Sequence, residues 1–211
     1  MTSPSSPASK PFDRESLRLI LASQSPRRAN LLQQAGYTFE TIPSQAEEKE
    51  AEFHTVEEVV MENAAIKGRD VVARIRSGFA GAETPTVLVA ADTLVAMKGK
   101  VYPKPRDLDE AHHFLSTLGG RYHRVYTGVY LYHFNCDREA QLVDATRVML
   151  RKMETAEIQK VFELVNPLDK AGAYGYQDSE WIVSSLIGSE TNVIGLPMEA
   201  LEAALTKLLA N

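Results

Sequence analysis

Residues 18–36 read RLILASQSPRRANLLQQAG. Leu19, Ile20, Leu21 and Ala22 form an unbroken apolar run of the kind found in a strand covered on both faces. Ser25 and Pro26 then mark a helix entry, because proline suits the first helical position, and Gly36 marks its stop. A strand passing straight into a helix is the building unit of α/β folds, so this stretch sets the expected class. It also poses an electrostatic question. A helix N-terminus carries partial positive charge and favours acids, yet the first turn here holds two adjacent cations, Arg27 and Arg28.

The alternation continues along the chain. Residues 37–43 read as a short strand leading into AEEKEAE (46–52), an acidic segment expected to be exposed loop. Thr55 opens a helix running to about Ser77, with Glu58 as its capping-box partner. Val56, Val60, Ala64, Val71 and Ile75 share one face of it, and Lys67 falls on the same face, either snorkelling at the edge or serving as a functional amine. TVLVAADTLVAM (86–97) is a second buried-strand run, followed by a turn at KGK and a helix over 107–119 with Glu110 as the box partner of Asp107. Strands over 123–134 and 141–153, a helix over 155–165, a strand near WIVSSLIG and a closing helix over 198–209 complete the pattern. It predicts a mixed sheet flanked by helices. Residues 1–15 are rich in Ser and Pro and too poor in apolar groups to pack, so they read as a mobile tail ahead of a single domain over 16–211.

Composition narrows the function. The 211 residues carry 23 Lys+Arg against 28 Asp+Glu, a net charge of -5, so bulk electrostatics do not favour nucleic acid or an anionic membrane, and any anion site is local. No apolar stretch has spanning length. The single cysteine, Cys136, fits a reducing cytoplasm. It lies in a polar FNCD turn without an activating base nearby in sequence and reads as an inert thiol. The P-loop, dinucleotide and serine-elbow fingerprints are absent, and the histidines at 54, 112, 113, 123 and 133 show no zinc-ligand spacing.

Four features carry chemistry. Asp92 interrupts an apolar strand, so its carboxylate is either satisfied by backbone amides at a strand end or serves as a metal ligand or general base. Arg27 and Arg28 point about 100° apart on a helix and suit separate oxygens of an extended anion over the helix N-terminus, or else are a solvated pair. DKAGAYGYQD (169–178) sets Lys170 beside glycines that let backbone approach a ligand, with Gln177 suited to reading a base edge; a glycine-rich structural turn is the alternative. Lys104 sits between two prolines on stiff backbone, as a fixed cation or a surface residue.

SQSPRR, AADT, KP, DKAGAYGYQ and NVIGLP, in that order over about residues 17–209, resemble the Maf family of nucleoside triphosphate pyrophosphatases. The resemblance implies a two-lobed α/β fold with a central cleft, similar to that of inosine triphosphate pyrophosphatases, in a cytoplasmic homodimer dependent on Mg²⁺ or Mn²⁺. It implies hydrolysis of dTTP and UTP to the monophosphate and pyrophosphate. Asp92 would be the proton acceptor; Arg28, Thr93 and Gln177 would bear on base specificity. Ser23, Arg27, Lys67 and Lys104 match polar and cationic site positions, Lys170 and Gln177 belong to the pyrimidine branch, and Glu48 with Asp92 would hold the metal. SQAEE stands where DxDE is usual, which leaves Glu47 as the alternative to Glu48. The rival readings are a nucleotide-binding regulator of cell division with little hydrolysis, and a pyrophosphatase for purine or modified nucleotides.

Overall fold

The computed structural model describes residues 12–49, 55–79, 83–177 and 179–210. The opening apolar run forms β1 (Arg18–Leu21), and α1 (Pro26–Gln34) follows with Ser25 at the N-cap and Pro26 at the first helical position. Gly36 turns the chain at φ +80°, a conformation open to glycine without a Cβ clash. β2 (Phe39–Thr41) then lies parallel to β1. α2 (Val56–Arg76) opens with the Thr55–Glu58 capping box expected from the sequence and leads to β3 (Thr86–Met97), also parallel to β1. β4 (Lys100–Tyr102) folds back on the end of β3 through Lys98 and Gly99, both at positive φ.

The remaining elements are α3 (Leu108–Leu118), β5 (Tyr122–His133), β6 (Arg138–Leu150), α4 (Thr155–Leu164), β7 (Val183–Ile187), α5 (Glu190–Ile194) and α6 (Met198–Leu209). The sheet order is β2-β1-β3-β5-β6-β7, with β4 paired to β3. This is the expected mixed sheet flanked by helices. Among the described residues no helix is long and apolar enough to cross a membrane.

The sheet is interrupted at one place. β5 covers one edge of β3 from Val87 to Ala96. On the opposite edge β1 reaches only to Val89 and β4 begins only at Val95. The residues between them, Asp92 and Thr93 included, face a gap. Side chains pack in separate clusters on either side of it. Val95, Tyr102, Phe114, Leu115, Leu150 and Ile158 gather around α3 and α4, while Leu19, Leu21, Leu32, Val89, Leu201 and Leu205 gather under α1 and α6. A third cluster, Ile20, Ala64, Leu88 and Tyr130, lies beneath α2.

The height of α2 above the sheet is set by Gly128, which stands opposite Asp92 in the β3–β5 register. A Cβ at Gly128 would lie 2.3 Å from the Val60 carbonyl oxygen and 2.6 Å from the Met61 nitrogen, so helix backbone rests on strand backbone there.

Several boundaries differ from expectation. Phe12–Arg14, assigned to the tail by composition, are packed: the Phe12 ring lies 6.4 Å from that of Tyr37, and Arg14 donates to the Ala35 carbonyl at 3.0 Å and pairs with Glu202. Residues 1–11 of that tail and 50–52 of the acidic loop lie outside the described residues. Glu110 does not complete a capping box at Asp107; its carboxylate instead accepts from the Arg106 amide at 2.8 Å. β6 starts at Arg138, because its first residues pair with β5 as an alternating half-exposed strand, which lacks the apolar run used to place it.

Gly128→Ala should therefore lift α2 from β5 and destabilise the fold by about 1–3 kcal/mol, the usual range for overpacking. Urea unfolding checks this, and an unchanged midpoint would show that the helix is not seated on that glycine.

Candidate active site

A cavity of about 520 Å³ opens at the gap in β3. Six segments line it: 22–28 from the end of β1 into α1, the acidic loop at 44–48, 92–95 of β3, Pro103 and Lys104 after β4, the turn at 169–177, and 193–195 at the end of α5; Lys67 of α2 and Val125 of β5 complete the lining.

Asp92, 5% exposed, lies at its floor. A bare carboxylate at that depth costs several kcal/mol, so it requires partners. They come from α2 rather than from backbone amides, and Asp92 sits in mid-strand rather than at a strand end. Lys67 Nζ donates to Asp92 Oδ1 at 2.7 Å, and Asn63 Nδ2 donates to Oδ2 at 3.3 Å. The same Lys67 ammonium lies 2.7 Å from Glu48 Oε1. Two carboxylates thus converge on one cation. Of the two adjacent acids, Glu48 lines the cavity and Glu47 does not.

Arg27 and Arg28 separate as helix geometry requires. Arg28 turns inward. Its Nε donates to the Gly195 carbonyl at 2.8 Å, Nη1 to Ser23 Oγ at 3.0 Å and Nη2 to Thr93 Oγ1 at 3.1 Å. Burial lowers its pKa from the ordinary arginine value, opposed by the nearby Asp92 charge. Thr93 in turn bonds Thr127 Oγ1 at 3.0 Å, and Thr127 donates to the Asn192 carbonyl at 3.1 Å, so Arg28 joins α1, β3, β5 and α5. Arg27 spans the cleft instead, with Nη1 3.6 Å from Asp169 Oδ2. No side chain caps α1.

Lys170 is 7% exposed and donates to the Asn166 carbonyl at 3.1 Å and to Asp169 Oδ1 at 2.7 Å. Its ammonium braces the turn that Arg27 also touches. Lys104 and Gln177 are exposed at the cavity wall, with no hydrogen bond or ion pair to another described residue. Tyr174 lines the cavity with its ring buried, and its hydroxyl lies 2.7 Å from His123 Nε2.

The ten residues expected to form the site, Ser23, Arg27, Arg28, Glu48, Lys67, Asp92, Thr93, Lys104, Lys170 and Gln177, therefore line one cavity, whereas Glu47, the alternative to Glu48, does not. Sequence reasoning missed Asn63, Asp169 and His123. Asn63 had a usable signal, since it stands four residues before Lys67 and so on the same helix face. Cys136 and His133 lie outside the cavity. His133 Nδ1 stands 2.9 Å from Cys136 Sγ, which corrects the expectation that the thiol has no base near it in sequence.

Residues 18–208 match the family model described as Maf-like protein. The chain belongs to the Maf family. A family member from Carboxydothermus hydrogenoformans, named dTTP/UTP pyrophosphatase, is 39% identical over 186 residues, covering 88% of this chain and 95% of its own. Another of that name from Elusimicrobium minutum is 40% identical over 184 residues, covering 87% and 94%. Among solved structures, the Staphylococcus aureus Ham1 protein aligns over 90% of this chain and 99% of its own at 13% identity, with a TM-score of 0.48. The stretches by which the chain resembles the Maf family, SQSPRR, AADT, KP, DKAGAYGYQ and NVIGLP, each contribute cavity-lining residues.

Burial pushes His123 down to about 4. Because the folded-state pKa lies below the unfolded value, the stability linked to this residue is present above pH 6.5 and is lost as the pH falls toward 4. The loss amounts to about 3 kcal/mol. The stability difference between the wild type and His123→Gln should shrink by that amount across this window in urea titrations; a constant difference would contradict the burial of a neutral imidazole.

Proposed function

We propose that the protein hydrolyses nucleoside triphosphates, with dTTP and UTP preferred, to the nucleoside monophosphate and pyrophosphate. The observation that carries this reading is the convergence of Asp92 and Glu48 on one cationic point at the floor of a cavity walled by Arg27, Lys104 and an uncapped helix N-terminus. The names of the relatives agree with it. The cytoplasmic, homodimeric state implied by the family resemblance is part of the same proposal.

In the proposed reaction Asp92 orients a water molecule toward the α-phosphorus and takes its proton. The new P–O bond forms as the bond to the bridging oxygen breaks, and that electron pair leaves with pyrophosphate. Lys67, beside the two carboxylates, is placed to neutralise charge on the α-phosphate. Arg27, Lys104 and the first amides of α1 neutralise the departing pyrophosphate. Ser23 and Thr93 hold Arg28 rigid on the base side, Lys170 braces the 169–177 turn, and Gln177 at its end reads the base edge through its amide.

The donor set fits a hard divalent cation. Asp92 and Glu48 supply carboxylate oxygens to one point, and a pair of carboxylates completed by phosphate oxygens and water is the usual provision for Mg²⁺. Asp92 and Glu48 would hold Mg²⁺ or Mn²⁺, which when bound supplies Lewis-acid polarisation of the α-phosphate.

Purified protein with Mg²⁺ should release pyrophosphate from dTTP and UTP in preference to purine triphosphates. Asp92→Asn should lower kcat by about 10²–10⁴-fold, the range expected on losing a general base, with the circular dichroism spectrum unchanged. Nucleotide binding without pyrophosphate release would favour a regulator instead. Gln177→Glu should alter the ranking of pyrimidine over purine substrates, and an unaltered ranking would remove Gln177 from base recognition.

A further inference from the structure

Asn63 is 2% exposed and does not line the cavity, yet both polar atoms of its side chain are engaged. Its Oδ1 accepts from the Lys49 amide at 2.8 Å, and its Nδ2 donates to the Lys49 carbonyl at 3.1 Å and to Asp92 Oδ2 at 3.3 Å. Gripping both backbone groups of one residue fixes that residue in place and in rotation. Lys49 directly follows Glu48, so the grip on Lys49 sets where Glu48 stands, while the third contact sets Asp92.

The start of the same loop is held by other residues of α2. Arg74 donates to the Pro43 carbonyl at 2.7 Å, and Asp70 Oδ2 accepts from Ser44 Oγ at 3.0 Å and the Gln45 amide at 2.9 Å. The hydrogen bond donated by the Gln45 amide, more than the ion pair with Arg74, holds the Asp70 pKa below the usual carboxylate range. Read from Arg74 to Asp70 to Lys67 to Asn63, α2 meets the loop at Pro43, then at Ser44 and Gln45, then at Glu48 and finally at Lys49. The loop is thus laid antiparallel along one helix face.

Asn63 differs in kind from Lys67, which also touches both carboxylates. Lys67 is a cation and competes with any other cation for them. Asn63 is neutral, supplies one acceptor and two donors, and can keep all three contacts when charge enters the site. An aspartate would lose both donors and repel Asp92, and an added methylene would move the amide off its partners.

We propose that Asn63 is a positioning residue that sets the separation of Glu48 and Asp92 and thereby the affinity of that pair for a divalent cation. The proposal rests on the reading of those carboxylates as the metal-holding pair. It is tested with Asn63→Ala and, to retain bulk and an amide in the buried position, Asn63→Gln, each in the full chain and checked for folding by circular dichroism and thermal melting. Mn²⁺ titrations followed by electron paramagnetic resonance, without nucleotide, should show affinity weakened by about 10–100-fold, the cost usual for displacing a group that orients a metal ligand. The Mg²⁺ concentration giving half-maximal pyrophosphate release should rise in parallel. Saturating Mg²⁺ should restore turnover, and KM for dTTP should stay at the wild-type value. A role confined to folding would lower melting temperature and active fraction without moving the metal dependence. Folded variants that bind Mn²⁺ as the wild type does, or a wild type that takes up none, would overturn the proposal. If the wild type binds Mn²⁺ but releases no pyrophosphate from any nucleotide, the functional reading fails by itself and the role of Asn63 is decided by Mn²⁺ affinity.

Discussion

The contact on which the rest depends is the one between the buried Asp92 carboxylate and the Lys67 ammonium, 2.7 Å apart. Placing an acid in the middle of an apolar strand is costly unless a partner is delivered to it. Delivery requires α2 to lie close over the sheet. Gly128 permits this because it presents no Cβ to the helix backbone at the register position opposite Asp92. Gly68 does the same on the helix side, where a Cβ would meet the Tyr130 ring at 2.1 Å. A chemical constraint on one carboxylate thus accounts for two packing constraints.

The second determinant is topological. Because β1 and β4 share one edge of β3 without meeting, the strand has an interval where side chains and backbone face open space. Loops that follow β1 and β4 necessarily enter that interval, which brings Arg27, Arg28 and Lys104 to the same cavity from distant parts of the sequence. The two cations at the start of α1 are explained here. Arg28 is an internal brace tied to three oxygens, and Arg27 reaches across to Asp169, so neither is a solvated charge opposing the helix dipole.

Much of this was legible from local pattern. The strand before α1, the Thr55–Glu58 cap, the run containing Asp92 and the helical phase of Lys67 depend only on periodicities within one element. What was not legible depends on chain return. Asn63 shares the helix face of Lys67, but its grip on Lys49 exists only once the loop at 43–49 folds back along that helix. Arg28 finds acceptors 65 and 167 residues away, at Thr93 and Gly195. Glu47 and Glu48 sit in a loop without a repeating period, so only the fold separates the one that reaches Lys67. Phe12 and Arg14 were assigned to the tail because their partners, Tyr37 and Glu202, give no signal near residue 12.

In the proposed reaction the α-phosphate of a pyrimidine triphosphate lies beside the Asp92–Glu48 pair. Anomalous diffraction from crystals grown with Mn²⁺ and an α,β-imido analogue of dTTP tests that placement directly. The expected result is a Mn²⁺ peak bound by both carboxylates, with the α-phosphate adjacent and the β- and γ-phosphates over α1. A metal bound elsewhere, or a triphosphate in the cavity while Lys67 alone still bridges Asp92 and Glu48, would contradict it.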